Sequence, residues 1–271
     1  MTNVSSSAAM KGDETACAGS SPFSVVALDI GGTKVAGCIA VYEHAGACPK
    51  VMLKKSIPTD AARGGADVLA RVCELASELV ADAQKADVPA LAGIGVSSAG
   101  SIRESDGLVA FANEIMPGWM GQPLGAALHE RCGLPVAVLN DVHAHALGEL
   151  RHGAAKGARV ALMVAAGTGL GGAVMIDGHL LGGAHGCAGT IGHALHPAAV
   201  GCPSGWPGTG HLESVVAGSG IEECYRARGG EAISGGEISR RANDGEALAR
   251  EVIEQSGRSL GESIASWADL I

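Results

Sequence analysis

The sequence predicts a two-part α/β protein built on mixed sheets, and three observations carry that prediction. Apolar runs rich in β-branched residues alternate with stretches of helical periodicity, the pattern of strands covered by helices. The succession strand, glycine-and-threonine turn, strand occurs twice, around Gly31-Gly32-Thr33 and around Gly167-Thr168-Gly169. Apolar residues make up 47% of the 271 positions against 17% charged, enough for each part to bury a core.

The elements follow in order. Val25–Ile30 is a buried strand that ends at Gly31-Gly32, Lys34–Tyr42 a second strand and Val51–Ile57 a third. An amphipathic helix runs from about Gly65 to Ala86, with Val68, Val72, Leu75 and Leu79 on one face. Leu91–Ser97 is again a strand, which completes a βββαβ unit. Gln122–Cys132 reads as a helix stopped by Gly133, Pro135–Leu139 as a strand, and residues 142–152 as the helix after it. Val160–Ala166 and Ala173–Ile176 are strands on either side of the second turn. Gly245–Trp267 is a long helix with Leu248, Val252, Leu260, Ile264 and Trp267 along one stripe. The division expected is a tail over residues 1–22, an N-terminal α/β domain over 23–138 and a C-terminal one over 139–271.

Composition excludes several functions. A formal charge of −9 with no basic cluster argues against a nucleic-acid surface. No apolar run approaches the ~20 residues that span a bilayer. The eight cysteines contain no CxxC pair, and a chain this long needs no disulfide staples, so a reducing cytoplasm is the expected compartment.

The chemistry-bearing residues sit at strand ends. Asp29 puts a carboxylate where a hydrated Mg²⁺ would need one. The glycines let backbone N–H groups approach an anion where a Cβ would obstruct, and Thr33 and Thr168 add hydroxyls. An ordinary hairpin turn explains either glycine stretch taken alone. Asn140-Asp141 ends a strand directly before a helix, the position that faces the ligand crevice in α/β sheets. Asp141 could equally be the cap of that helix. Two such turns in one chain suggest two halves holding one polyphosphate between them.

Four motifs, Asp29-Ile-Gly-Gly-Thr-Lys34, Leu139–Glu149, Gly167-Thr-Gly-Leu-Gly-Gly172 and Ala188-Gly-Thr-Ile-Gly-His193, resemble in order and spacing those of the ROK family. That family comprises sugar kinases and sugar-responsive repressors of the actin/hexokinase-like (ribonuclease H-like) fold. The repressors carry a winged-helix domain ahead of this core, and about 23 residues are too few for one, so the resemblance implies the kinase branch. It further implies ATP and Mg²⁺ as cofactors, a small-molecule sugar as substrate and a homodimer. By the same resemblance Asp141 is the general base, while Asn113, Asn140, His193 and Glu213 bind the sugar. Asp29, Gly31, Gly32, Thr33, Lys34, Gly167, Thr168 and Gly169 would hold ATP and the metal.

Position 190 departs from the pattern of the glucokinase-like members. They have Glu where this chain has Thr190, and the missing carboxylate removes a charge-assisted hydrogen bond to a sugar hydroxyl. The family's N-acetylmannosamine kinases share that lack, and they resemble this chain also in Ser97–Ile102, Gly210–Glu213 and Val216–Ile221. N-acetylmannosamine is therefore the expected substrate, with glucose, or sugar binding without turnover, as the alternative. The family's structural zinc site uses one His and three Cys. Here Ser204 and His211 stand at two of the Cys positions, which leaves His193, Cys202 and His211 as three zinc ligands where a closed site wants four. Family members continue past the long helix with a further strand, a glycine-rich turn and a last helix, so the chain reads as truncated at Ile271.

Overall fold

The computed structural model describes residues 21–112, 116–183, 188–203 and 208–271. Strands β1 (Phe23–Ile30), β2 (Lys34–Tyr42), β3 (Lys50–Pro58), β4 (Leu91–Ser98) and β7 (Val136–Asn140) form one sheet in the order β3-β2-β1-β4-β7. The β1–β2 and β2–β3 pairs are antiparallel and the β1–β4 and β4–β7 pairs parallel, which is the mixed sheet the sequence predicts. Strand alternation decides what faces inward. Val26, Leu28 and Ile30 of β1, with Val35 and Ile39 of β2, meet Val68, Val72, Leu75 and Leu79 of helix α1 (Gly65–Lys85) in one buried cluster. A short hairpin, β5 (Ser101–Arg103) and β6 (Leu108–Phe111), leads into α2 (Leu124–Cys132). That helix ends where the sequence predicts, with Gly133 in the left-handed conformation at φ 68°.

Helix α3 (Asp141–His152) starts directly off β7 and joins the two halves. Its Ala146 and Leu150 pack on Ala173 and Met175 of β9 (Leu170–Ile176), the middle strand of a second sheet with β8 (Val160–Ala166) and β10 (His179–Leu180). Among the described residues four α-helices follow: α4 (Glu213–Val216), α5 (Gly218–Ala227), α6 (Gly235–Asn243) and α7 (Ala247–Ala268). Among the described residues no helix is long and apolar enough to cross a membrane.

The structure adds three helices and changes one detail of a fourth. Helices α4 to α6 have no counterpart in the sequence reading, because elements of four to ten residues complete too few turns to reveal a periodicity. The long helix does form, and Val252, Leu248, Leu260 and Trp267 of its predicted stripe pack into two apolar clusters, whereas Ile264 is exposed and Ala249, Ser256, Ser259 and Ser263 are buried beside them. Helices α4, α5 and α6 all pack on α7, whose small side chains lie beside these apolar ones.

Candidate functional site

Strand register builds the site. Asp29 of β1 pairs with Ser97 of β4, and Ser98 pairs with Asn140 of β7, so three parallel strands end side by side. At the usual strand spacing Asp29 and Leu139, level with each other across Ser97, lie about 10 Å apart, and Asp141 follows two residues beyond Leu139. The Ser97 hydroxyl donates to Asp29 Oδ1 at 2.8 Å and so fixes the carboxylate.

The helix cap proves to be Asn140, which leaves Asp141 free of that role. Asn140 Oδ1 accepts from the N–H groups of Val142 (2.9 Å) and His143 (3.4 Å), and its Nδ2 donates to Gly100 O at 2.8 Å. With both lone pairs and one N–H committed, Asn140 can offer a ligand a single N–H. Asn140→Ala is expected to cost about 1 kcal/mol of stability through the lost cap, measured by urea denaturation. A cost indistinguishable from zero would show that the cap does not support α3.

Asp141 itself is solvent-accessible, but the protein packed around it displaces part of the bulk water. That desolvation raises its pKa above the ordinary carboxylate value, and the negative charge of Asp29 raises it further, against the opposing Val142 N–H. Its Oδ1 accepts from Val142 N at 2.9 Å.

Both glycine-and-threonine turns occur where the sequence predicts. Gly31, Gly32, Gly167 and Gly169 all keep φ outside the left-handed region. A Cβ built on Gly167 would meet no protein atom within 4 Å, so the space it would take stays open for a ligand. Gly31 N–H closes its turn on Lys34 O at 3.0 Å, and Gly167 N–H closes the second on Gly169 O at 2.9 Å. Lys34 and Asp29 border an open cavity of about 430 Å³ together with Ala27, Ala36 and Ser56.

Glu213 and His193 meet at the far side. The Glu213 carboxylate accepts from Leu170 N–H at 2.9 Å and lies against Gly169, so it borders the second turn. The turn of residues 191–193 packs tightly here, since a Cβ on Gly192 would fall 2.3 Å from Leu170 O. Desolvation lowers the pKa of His193; Glu213 opposes that and His211 adds to it, which favours a neutral imidazole. Asn113 lies outside the described residues.

The expected zinc ligands do not gather. The His193 and His211 rings are 5.6 Å apart, while Cys202 packs with Cys224 against the apolar cluster around Leu212 and Val215. Among the described residues no three His, Cys, Asp or Glu side chains converge as a metal would require. Ser204 lies outside the described residues. His196 has a structural task, accepting from Ala198 N–H at 3.2 Å with Glu262 3.4 Å from its Nε2.

Fold and site together define an α/β protein with two glycine-and-threonine turns and a carboxylate at the end of β7. Residues 25–271 match the ROK family, and the chain belongs to it. A glucokinase of Halalkalibacterium halodurans is 30% identical over 262 residues, 91% of this chain and 76% of its own length. An N-acetylmannosamine kinase of Shigella flexneri is 31% identical over 249 residues, 90% and 78%. Among solved structures, a ROK hexokinase from Thermus thermophilus aligns with TM-score 0.74 at 30% identity over 92% of this chain and 78% of its own. A ROK family transcriptional regulator aligns at 0.75 and 28%, over 92% and 63%. A Streptomyces griseus glucokinase in complex with glucose and AMPPNP aligns at 0.70 and 26%, over 92% and 80%.

Proposed function

We propose that this protein transfers the terminal phosphoryl group of ATP to the 6-hydroxyl of N-acetylmannosamine. As a ROK member with glucokinases and N-acetylmannosamine kinases as relatives, it is an ATP-dependent sugar kinase. The observation that carries the reaction is the alignment of Asp29, Ser97 and Asn140-Asp141 at adjacent strand ends. Phosphoryl transfer needs mainly positioning and charge neutralisation, and this site offers both.

Bound Mg-ATP supplies the phosphoryl group. Asp141 accepts the proton of the sugar hydroxyl, which its raised pKa suits it to do at neutral pH. Asp29, exposed and oriented by Ser97, suits a hydrated Mg²⁺, whose charge would also relieve its repulsion with Asp141. Gly31, Gly32, Thr33 and Lys34 on one side, with Gly167, Thr168 and Gly169 on the other, would hold the phosphates. Asn113, Asn140, His193 and Glu213 would hold sugar hydroxyls.

Overall similarity does not separate the sugars, since the two relatives are 30% and 31% identical. Thr190 supports N-acetylmannosamine. It is an uncharged residue at the head of the 191–193 turn, exposed, with its carbonyl bonded to His193 N–H at 3.2 Å. The reading also takes in two α/β domains, 23–138 and 139–271, a homodimer and a cytoplasmic location. The six described cysteines, all unpaired thiols, agree with the last.

A coupled ADP-release assay with Mg-ATP over N-acetylmannosamine, N-acetylglucosamine, glucose, mannose and allose tests the reading. The highest kcat/KM is expected for N-acetylmannosamine. A preference for glucose would overturn the role given to Thr190. Sugar binding without turnover on any of the five would favour a regulator.

A further inference from the structure

We propose that Thr59 is a positioning residue for the first glycine-and-threonine turn, holding its N–H groups toward a bound phosphate from behind. The proposal rests on the kinase reading above. Thr59 follows β3 and is completely buried. Its hydroxyl donates to Gly31 O at 2.6 Å and its N–H donates to Thr33 O at 2.9 Å.

These two bonds determine where the turn's donors point. In a trans peptide the C=O and the following N–H are antiparallel, and the chain has no cis bond among the described residues. Gly31 C=O turned toward Thr59 therefore directs Gly32 N–H away from it, and Thr33 C=O does the same for Lys34 N–H. Thr59 lies on the buried side, so the Gly32 donor faces the half-exposed side of the turn. Thr59 is itself anchored. Arg71 of α1 donates to the carbonyls of Pro58 (2.6 Å) and Thr59 and to the Asp67 carboxylate (2.8 Å).

The second turn is braced in the same manner by an unrelated element. Gly218 N–H at the start of α5 donates to Gly167 O at 2.8 Å, and the Ser219 hydroxyl donates to Thr168 O at 3.0 Å. By the same antiparallel geometry Thr168 N–H and Gly169 N–H point away from α5. A hairpin that only reverses the chain has no need of carbonyl acceptors held by donors from elsewhere. Two turns from two sheets, each with two carbonyls drawn back, point to donors set in advance for an anion.

Calorimetric titration of Mg-ATP and of Mg-tripolyphosphate, with steady-state kinetics beside it, tests this on Thr59→Val and Thr59→Ser. Valine keeps the shape and the backbone bond but removes the hydroxyl. It is expected to weaken both probes roughly tenfold and to raise the KM for ATP alike, with the KM for sugar unchanged. Serine restores the hydroxyl and is expected to restore binding. Thr59→Ala, which places no methyl against Gly31 O, gives the same reading should valine unfold the protein. Wild-type binding with an indifferent valine variant would overturn the positioning role alone. Equal losses for ATP and sugar, or a serine variant as weak as valine, would also overturn it, because a merely structural residue would behave so. Failure of the wild type to bind either probe would overturn the kinase reading and this role with it.

Discussion

Asp141→Asn will lower kcat by roughly 10²- to 10⁴-fold, the range a positioned general base contributes, with the fold intact. Asn140 and not Asp141 caps α3, so the substitution removes the acid without removing the cap. The pH dependence gives a second signature. The Asp141 pKa is raised from the ordinary aspartate value, so the acid limb of kcat/KM is expected at higher pH than an unperturbed aspartate would give and should be absent from the residual activity of the variant. The sign for stability follows from linkage. Between the unfolded and the folded pKa the native state binds more protons than the unfolded state, so this group's contribution is fully present below the unfolded value. It is lost as pH rises through the folded pKa. Asp141→Asn escapes that loss, so its urea midpoint at neutral pH should equal or exceed that of the wild type, the gap closing below about pH 3.8. An unchanged kcat, or a variant less stable at every pH, would rule out this role.

Trp119→Ala carries the largest expected effect on stability, about 3–5 kcal/mol for a fully buried aromatic side chain. Trp119 has no exposure and belongs to the cluster of Leu124, Leu128 and Val109. Its indole N–H lies 3.3 Å from both Ser98 Oγ and Ala99 O, which ties the end of β4 in place. That end neighbours Gly100, whose carbonyl receives the Asn140 amide. A loss of 3–5 kcal/mol is a large share of the 5–15 kcal/mol that holds a typical domain. Urea denaturation followed by circular dichroism checks it. A cost below about 1 kcal/mol would mean that the core closes over the gap.

Much of the first sheet was legible because its strands are half buried and alternate cleanly, as Val26, Leu28 and Ile30 do, while α1 repeats every three to four residues over 21 positions. The two turns and Asp141 were legible because glycine, threonine and a carboxylate at a strand end are chemically unusual together. The tasks of Thr59, Ser97 and Ser219 were not, since even inside a matched stretch a serine or threonine looks like any other until its bonding partner is known. The small buried residues of α7, Ala249, Ser256, Ser259 and Ser263, escaped for a related reason, since serines and alanines carry little hydrophobic signal, while Val252, Leu248, Leu260 and Trp267 were legible.

The sequence by itself determined the longer strands and helices and the family, and it singled out the carboxylate proposed as the base, all of which depend on residue type and near-neighbour spacing. Only the tertiary structure decided which residue caps α3, what fixes Asp29, and which groups stand behind each turn. Those assignments join residues 28, 68 and 51 positions apart in the chain, as in Thr59 with Gly31, Ser97 with Asp29 and Ser219 with Thr168. A hydrogen bond depends on two or three ångströms in space, and no pattern along the chain records that distance until the sheets have formed.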